Sequence, residues 1–354
     1  MKIVYILAAI LIFGLLIAVH EFGHFITAKL CGVKVNEFSI GMGPLLLQKE
    51  KGETVYSLRL LPIGGYCAME GEDEDTGDSR SFVRQPLWKK FVILVAGTVM
   101  NFLTGLIIVL VLFAGYNGFY VDQITDFAEG FPLKGENGLM VGDVVYKVDG
   151  YRTYLWGDTK MLLSYNDGQG IDLEVIRDGE HIVLEDFPMY RRDYDGSGQE
   201  RFGISISPTV VPRSFGTWLQ YSWYQALDYV QLVWFSLVQL VTGNVGIQEM
   251  GGPVMIMDTI AEVGAASETA ALAIRNIAAI AALIAVNLAV MNLLPIPGLD
   301  GGRILFLAMD VVALMLFKRK VPEKYQAAIN MVGMVALLGF MLLITVKDVF
   351  QVFQ

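Results

Sequence analysis

An apolar run that begins at Ile3 and reaches Phe25 is long enough to cross a bilayer as a helix, yet two histidines and a glutamate sit inside it. They form His20-Glu21-Phe22-Gly23-His24, an H-E-x-x-H pattern. Ionisable groups in a lipid-spanning helix are costly, so by default they mark a functional site. On a helix His20 and His24 stand one turn apart on one face, and both imidazoles can reach one zinc ion. Glu21 is then placed to act on a water as general base. The pattern alone arises by chance in soluble helices; its apolar setting makes it informative.

Composition agrees with a bilayer as solvent. The chain has 354 residues, 54% hydrophobic and only 18% charged, with a mean hydropathy of +0.52, which is more apolar than an ordinary soluble domain. Apolar windows run roughly over 3–25, 91–113, 271–294 and 327–346, each near the ~20 residues a spanning helix needs. Lys2 before the first run resembles a secretion signal. No small-x-small cleavage site follows, however, and His20-Glu21 lies where cleavage would fall, so an uncleaved span is expected. The net charge of −10 argues against nucleic acid as a partner. Cys31 and Cys67 fall in one loop and are expected as reduced thiols.

Lysines and arginines orient the spans. The stretch between the first two holds Lys34, Lys49, Lys51, Arg59, Arg80, Arg84, Lys89 and Lys90; that between the last two holds Arg303, Lys318, Arg319, Lys320 and Lys324. Both are expected on the cytoplasmic side, which puts the middle region outside and the H-E-x-x-H pattern toward the cytoplasmic end of its span. Strand-like stretches at 35–40 and 54–60 with glycine punctuation suggest hairpins, either a plain connection or an edge for an extended substrate. The acidic run Glu70, Glu72, Asp73, Glu74, Asp75 and Asp78 reads first as a solvated, mobile loop and second as a metal-gathering segment.

Between the second span and Pro208 the composition becomes polar and strand-rich, with turn signals at Asp149-Gly150, Asp178-Gly179 and Asp195-Gly196. Residues 138–150 resemble the G-L-x-x-G-D signature of PDZ domains, although 128–137 departs from the usual small-residue helix start. Such a domain would bind chain ends by strand addition or act as a steric filter. Residues 214–243 are rich in Trp and Tyr, interrupted by Gln225, Asp228, Gln231 and Gln239. They are expected as an amphipathic helix at the outer interface, with a further span as the second reading.

The third span ends at Asn292-Leu293-Leu294-Pro295-Ile296-Pro297-Gly298-Leu299-Asp300-Gly301-Gly302. Two prolines cannot continue a helix, and irregular backbone at membrane depth is tolerated only where it lines a cavity or is buried. Asp300 is the natural third zinc ligand, completing a catalytic rather than a structural set. Read alone, it could equally cap the helix that follows. Asn292 could pair with a substrate backbone, stabilise an oxyanion, or serve as a satisfied helix-end amide. Asn101, a lone amide in the second span, suits helix–helix hydrogen bonding first and substrate contact second. The chain has three histidines; the third, His181, reads as a surface residue of the soluble domain.

These motifs, with Gly251-Gly252-Pro253-Val254, resemble nearly end to end the site-2 protease family of intramembrane zinc metalloproteases, within it the bacterial group that regulates sigma factors. The resemblance implies Zn2+ held by His20, His24 and Asp300, Glu21 as base, and Asn292 handling substrate. It matches 33–68 to a membrane-associated β-hairpin that engages unwound substrate. It implies a bacterial cytoplasmic (inner) membrane location. Substrates would be transmembrane segments of anti-sigma factors or signal-peptide remnants, after an upstream site-1 protease has cut. Two features depart from the better-known relatives: one PDZ domain instead of two, and Gly97-Thr98 where Gly-Pro is common.

The expected architecture is therefore a polytopic α-helical membrane protein of about four transmembrane helices, with a β-hairpin region and one extracytoplasmic, β-rich PDZ domain. The expected divisions are a first span at 1–30, hairpin and acidic loop at 31–87, a second span at 88–116 and the PDZ domain at 119–208. An interfacial helix at 212–250, a third span at 268–304, a cytoplasmic connector at 305–326 and a fourth span at 327–350 follow. A membrane zinc transporter or sensor, and a catalytically silent PDZ adaptor, are the rival readings. The first lacks a chain of further intramembrane ligands, and the second has every ligand and the base present.

Overall fold

The computed structural model describes residues 2–72, 74–166, 170–244, 246, 251–318 and 322–352; Asp73, Arg319 and Lys320, used above, lie outside the described residues. In chain order the first elements are α1 (Lys2–Leu30), β1 (Val35–Lys51), β2 (Thr54–Met69), α2 (Leu87–Phe113), β3 (Gly118–Phe127), β4 (Val144–Val148) and β5 (Tyr151–Arg152). Then come α3 (Asp158–Ser164), β6 (Ile171–Arg177), β7 (Glu180–Phe187), β8 (Ile204–Pro212) and α4 (Phe215–Thr242). The last are α5 (Pro253–Ala266), α6 (Ala270–Asn292), α7 (Asp300–Phe317) and α8 (Glu323–Val352). Among the described residues α1, α2, α6 and α8 are long and apolar enough to cross a membrane, and they cover the four sequence windows. Contacts divide the chain into one unit of residues 1–108 with 233–354 and a second of 109–232.

In the first unit, α1 turns Ile3, Leu7, Leu11 and Leu15 outward, a stripe at four-residue spacing that is more than half exposed and suited to lipid. Its opposite side buries Ala9 and Leu16 against Ile260 of α5 and Ile277 and Ile284 of α6. The strands form one ribbon longer than the two short segments expected. Residues 37–40 of β1 pair on one side with 55–58 and on the other with 65–68, so the ribbon folds over itself into four lanes. Gly41 and Gly64, both at positive φ, allow the bend without breaking the ladder. This sheet closes over Phe25 and Ala28 of α1, burying Val35, Phe38, Cys67 and Met69 with them. Cys31 and Cys67 are both free, and burial pushes the Cys67 thiol up.

The described residues of the acidic run are solvated, as expected of a loop, with Glu74 and Asp75 exposed, yet several of them are paired. Glu70 accepts from Lys34 and Asn36, Asp75 receives both arms of Arg84, and Glu72 pairs with Arg303 of α7. Basic residues flanking the run supply those partners. The 305–326 connector is mostly helix, because α7 continues through its apolar residues to Phe317. The Gly-Gly-Pro motif also has a structural reason. Pro253 opens α5, and buried Asp348 of α8 accepts from Met255 N at 3.1 Å, satisfying one of the free amides of that first turn. A Cβ on Gly252 would stand 2.7 Å from Asp348 Oδ2 and 2.4 Å from Ile344 Cγ2.

The second unit holds an antiparallel sheet in the order β7-β6-β4-β3-β8, with β5 beside β4. Two of the expected turns are two-residue hairpins, Asp149-Gly150 and Asp178-Gly179, with positive φ at all four residues. His181 is exposed beside Glu174, as a surface residue should be. The polar residues that interrupt the aromatic run of α4 have partners here. Gln231 exchanges two hydrogen bonds with the Arg152 backbone, at 3.1 and 2.7 Å, while Tyr221 stacks on Phe119 with centroids 4.7 Å apart. Asp228 on α4 is pushed up to about 7 by burial and then by the nearby Asp158 carboxylate, against one hydrogen bond from Gln225.

Two predictions follow from these contacts. Gly252→Ala should lower the thermal unfolding midpoint of the full chain in detergent by at least about 2–4 °C, since neither Ile344 nor Asp348 can yield without uncapping α5. The raised Asp228 carboxyl stays neutral in the fold up to about 7, while the unfolded chain ionises it from about pH 4, so the fold loses stability as pH rises between those values. Asp228→Asn should therefore raise the midpoint clearly more at about pH 8.5 than at about pH 5. An equal effect at both values would refute the assignment.

Candidate metal centre

Two glycines bring α1 and α2 together backbone to backbone. A Cβ on Gly23 would stand 2.5 Å from Ala96 O, and one on Gly97 would stand 2.5 Å from His24 Nε2 and 2.7 Å from His20 Cε1. The buried imidazoles of His20 and His24 thus lie directly on the Gly97 backbone. His24 Nδ1 is 2.8 Å from Ile93 O. A carbonyl can only accept, so Nδ1 carries the proton and Nε2 presents its lone pair to the site.

Asp300 arrives from the other end of the chain. α6 stops at Asn292, Pro295 and Pro297 interrupt the backbone, and α7 begins at Asp300 itself. Gly298 turns the chain at φ +98, and its N–H donates to Asn330 Oδ1 of α8 at 2.7 Å. Gly301 and Gly302 let the first turn of α7 press on the 293–297 backbone, where Cβ atoms would come within 2.4 Å of carbonyl oxygens. Leu299, without a side-chain bond, occupies the cap position, so Asp300 does not cap α7. Its Oδ2 lies 3.1 Å from His20 Nε2 and 3.2 Å from His24 Nε2, which are themselves 3.2 Å apart.

This triangle suits a metal ion. Tetrahedral zinc with bonds of 2.0–2.1 Å has ligand–ligand edges of roughly 3.3–3.4 Å. Asp300 Oδ2 is buried without a hydrogen-bond partner, and at least His24 aims a lone pair at the same point. Among the described residues His20, His24 and Asp300 form the one such cluster of three. The described residues of the acidic run form none.

A cavity of about 300 Å³ opens beside the triangle, lined by Ile17, His20, Glu21, Asn101, Leu288, Asn292, Gly298, Leu299 and Asp300. All the sequence-predicted site residues except His24 line it, and His24 closes the triangle behind. Asn292 Nδ2 is 3.4 Å from His20 Nε2, and Asn101 Nδ2 is 3.4 Å from His20 Nδ1. From β2, a Cβ on Gly65 would lie 3.5 Å from Glu21 Cγ, so the bent ribbon passes directly over that carboxylate's stem. Sequence reading missed the supporting residues Gly65, Gly97, Ile93 and Asn330. Only the four-residue spacing of Ile93, Gly97 and Asn101 on the second span hinted at them.

Comparison with known proteins agrees with this geometry. The profile of peptidase family M50 matches residues 8–340. A protein of Clostridium perfringens, named by inference as a zinc metalloprotease, is 35% identical over 346 residues, 98% of each chain. The zinc metalloprotease RasP of Shouchella clausii is 28% identical over 443 aligned positions, 99% of each chain. The regulator of sigma-W protease RasP of Bacillus subtilis is 26% identical over 433 positions, 98% of this chain and 99% of its own. A chain so matched from end to end, with the donor triangle and a carboxylate at its rim, belongs to peptidase family M50, the site-2 protease family, and is an intramembrane zinc metalloprotease.

Proposed function

We propose that His20, His24 and Asp300 hold the catalytic zinc, that Glu21 is the general base, and that the chain cuts transmembrane segments of membrane proteins already trimmed by another protease. The convergence of three ligand atoms from the two ends of the chain, beside a cavity that also takes in Glu21, carries this reading. Zinc bound there polarises a scissile carbonyl and acidifies a water. Glu21 takes the proton of the attacking water and returns it to the leaving amine. Asn292, at the cavity wall, pairs with the substrate backbone or the developing oxyanion.

A helical peptide bond is shielded by its own hydrogen bonds, so the substrate enters extended. The ribbon supports that step, because its Gly65 end runs past Glu21 and a strand laid along it would regain backbone partners. In the second unit, β8 is an edge strand, and a groove of about 490 Å³ lies between it and α3. Ile204, Ile206, Leu163 and Phe202 line that groove together with Lys160, Arg191 and Arg201. This is the arrangement a PDZ domain uses for chain ends, and it favours peptide binding over a bare steric filter. The charge count supports a bacterial cytoplasmic membrane protein with this domain outside and the zinc near the cytoplasmic face. The name regulator of sigma-W protease, borne by the Bacillus subtilis relative, supports a role in controlling a sigma factor, for which a membrane-bound anti-sigma factor is the fitting class of substrate. Signal-peptide remnants offer the same short membrane segment.

Glu21→Gln should retain stoichiometric zinc and lose at least about 10²-fold in cleavage of a reconstituted single-span substrate, because it removes a base and no ligand. Full cleavage by that variant would sink the assignment of Glu21, and zinc flux into sealed vesicles without cleavage would favour a transporter. Gly97→Ala should cost both zinc content and activity, since the new methyl group would occupy the space of both imidazoles. Unchanged zinc content would show that α1 and α2 can part without harm.

A further inference from the structure

Asn101 is 1% exposed in the middle of α2. In the observed rotamer its Nδ2 faces His20 Nδ1 at 3.4 Å, while its Oδ1 is buried with no hydrogen-bond partner. An amide nitrogen only donates, so Nδ1 accepts in this rotamer and the ring proton sits on Nε2. That tautomer cannot offer the Nε2 lone pair to the triangle. A half-turn of the carboxamide exchanges its two ends in the same space and brings Oδ1 to Nδ1, satisfying the orphaned oxygen at the same time.

We propose that Asn101 is a positioning residue for His20: its Oδ1 accepts from Nδ1–H and so fixes the tautomer whose Nε2 faces the metal. This rests on the ligand assignment above. The same relation already holds one turn away, where Ile93 O receives the His24 Nδ1 proton. Ile93, Gly97 and Asn101 are spaced four apart on α2, and His20 and His24 four apart on α1. Running antiparallel, the helices give each imidazole its own acceptor, with Gly97 between them as the point of closest approach. A metal-bound imidazole held by its second nitrogen is oriented and made more basic. Asn292 does not fill this place: its Nδ2 is 3.5 Å from Nδ1 and 3.4 Å from Nε2, which puts it on the in-plane axis of neither nitrogen.

The test is zinc affinity of the full chain in detergent, stripped of metal and titrated against a chelating dye. Asn101→Leu keeps the branching at Cγ and removes the acceptor. It should weaken zinc binding by about 10–100-fold and, at saturating zinc, leave KM for a model substrate unchanged. Asn101→Asp keeps the acceptor and should bind zinc at least as tightly as the parent chain. Parental zinc affinity in the Leu variant, or a raised KM at saturating zinc, would overturn the proposal, the latter showing that Asn101 touches substrate. If thermal unfolding shows the Leu variant misfolded, the Asp variant decides, and weakened zinc binding there is the overturning result. His20→Ala separates the two levels. If it binds zinc like the parent, the ligand assignment fails; if it loses zinc while Asn101→Leu does not, only the role of Asn101 fails.

Discussion

The contact between α1 and α2 at Gly23 and Gly97 is the interaction on which the metal centre depends. Lipid offers no hydrophobic force to drive helices together, so close backbone approach through small residues has to supply the packing. Here the approach does more than pack. It lays both imidazoles on a bare stretch of helix and brings Ile93 O and the Asn101 amide within reach of their Nδ1 atoms. Any side chain at Gly97 would take the place of the rings themselves, because the nearest atoms belong to His24 and His20 rather than to flexible chain ends.

The carboxylate half of the triangle meets the opposite demand, since it needs an apolar, membrane-length helix to stop at Asn292. Two prolines remove two N–H groups from the 293–299 segment, which lightens the cost of leaving the helix. The remaining amides are spoken for: Leu293 donates to Val290 O, Leu294 to Met291 O, Ile296 to Leu294 O, Leu299 to Ile296 O, and Gly298 to the Asn330 side chain. Asn330 thereby links the turn before Asp300 to α8, and Glu72 links the turn after it to the hairpin loop through Arg303. Asp300 is held from both sides by residues that touch neither histidine.

What the sequence revealed and what it hid divide along physical lines. Spans, H-E-x-x-H, the proline break and Asp300 were legible because each is a local violation of the membrane's rules, a charge or a break where lipid tolerates neither. Turns at Asp149-Gly150 and Asp178-Gly179 were legible because their backbone requires those residues. The folded-over ribbon was not. Its register depends on Gly41 and Gly64 bending a long strand, and the alternation of 54–60 looks the same in one lane as in four. Nor was the tethering of the acidic loop visible, since the partner of Glu72 lies in α7. In the sequence Asn101 reads as an amide for helix–helix bonding first and substrate contact second, and Gly97 only as half of a Gly-Thr pair; the antiparallel docking of α1 is what brings both against the histidines.

The donor triangle finally has a consequence for how the first unit holds together. A carboxylate oxygen without a hydrogen bond and an imidazole lone pair converging within 3.2 Å repel one another in a setting of low dielectric. A proton on an imidazole Nε2, or a metal ion held between them, turns that repulsion into attraction. Elements from the two ends of the chain, α1 and α7, therefore meet at a point where bare lone pairs alone would push them apart. Zinc binding energy is in that sense assembly energy. The break at Pro295, the tether at Asn330 and the pair at Arg303 reduce the part of it that must be spent on bringing Asp300 into place. The same rigidity leaves the open side of the triangle toward the cavity that Glu21 and Asn292 also line.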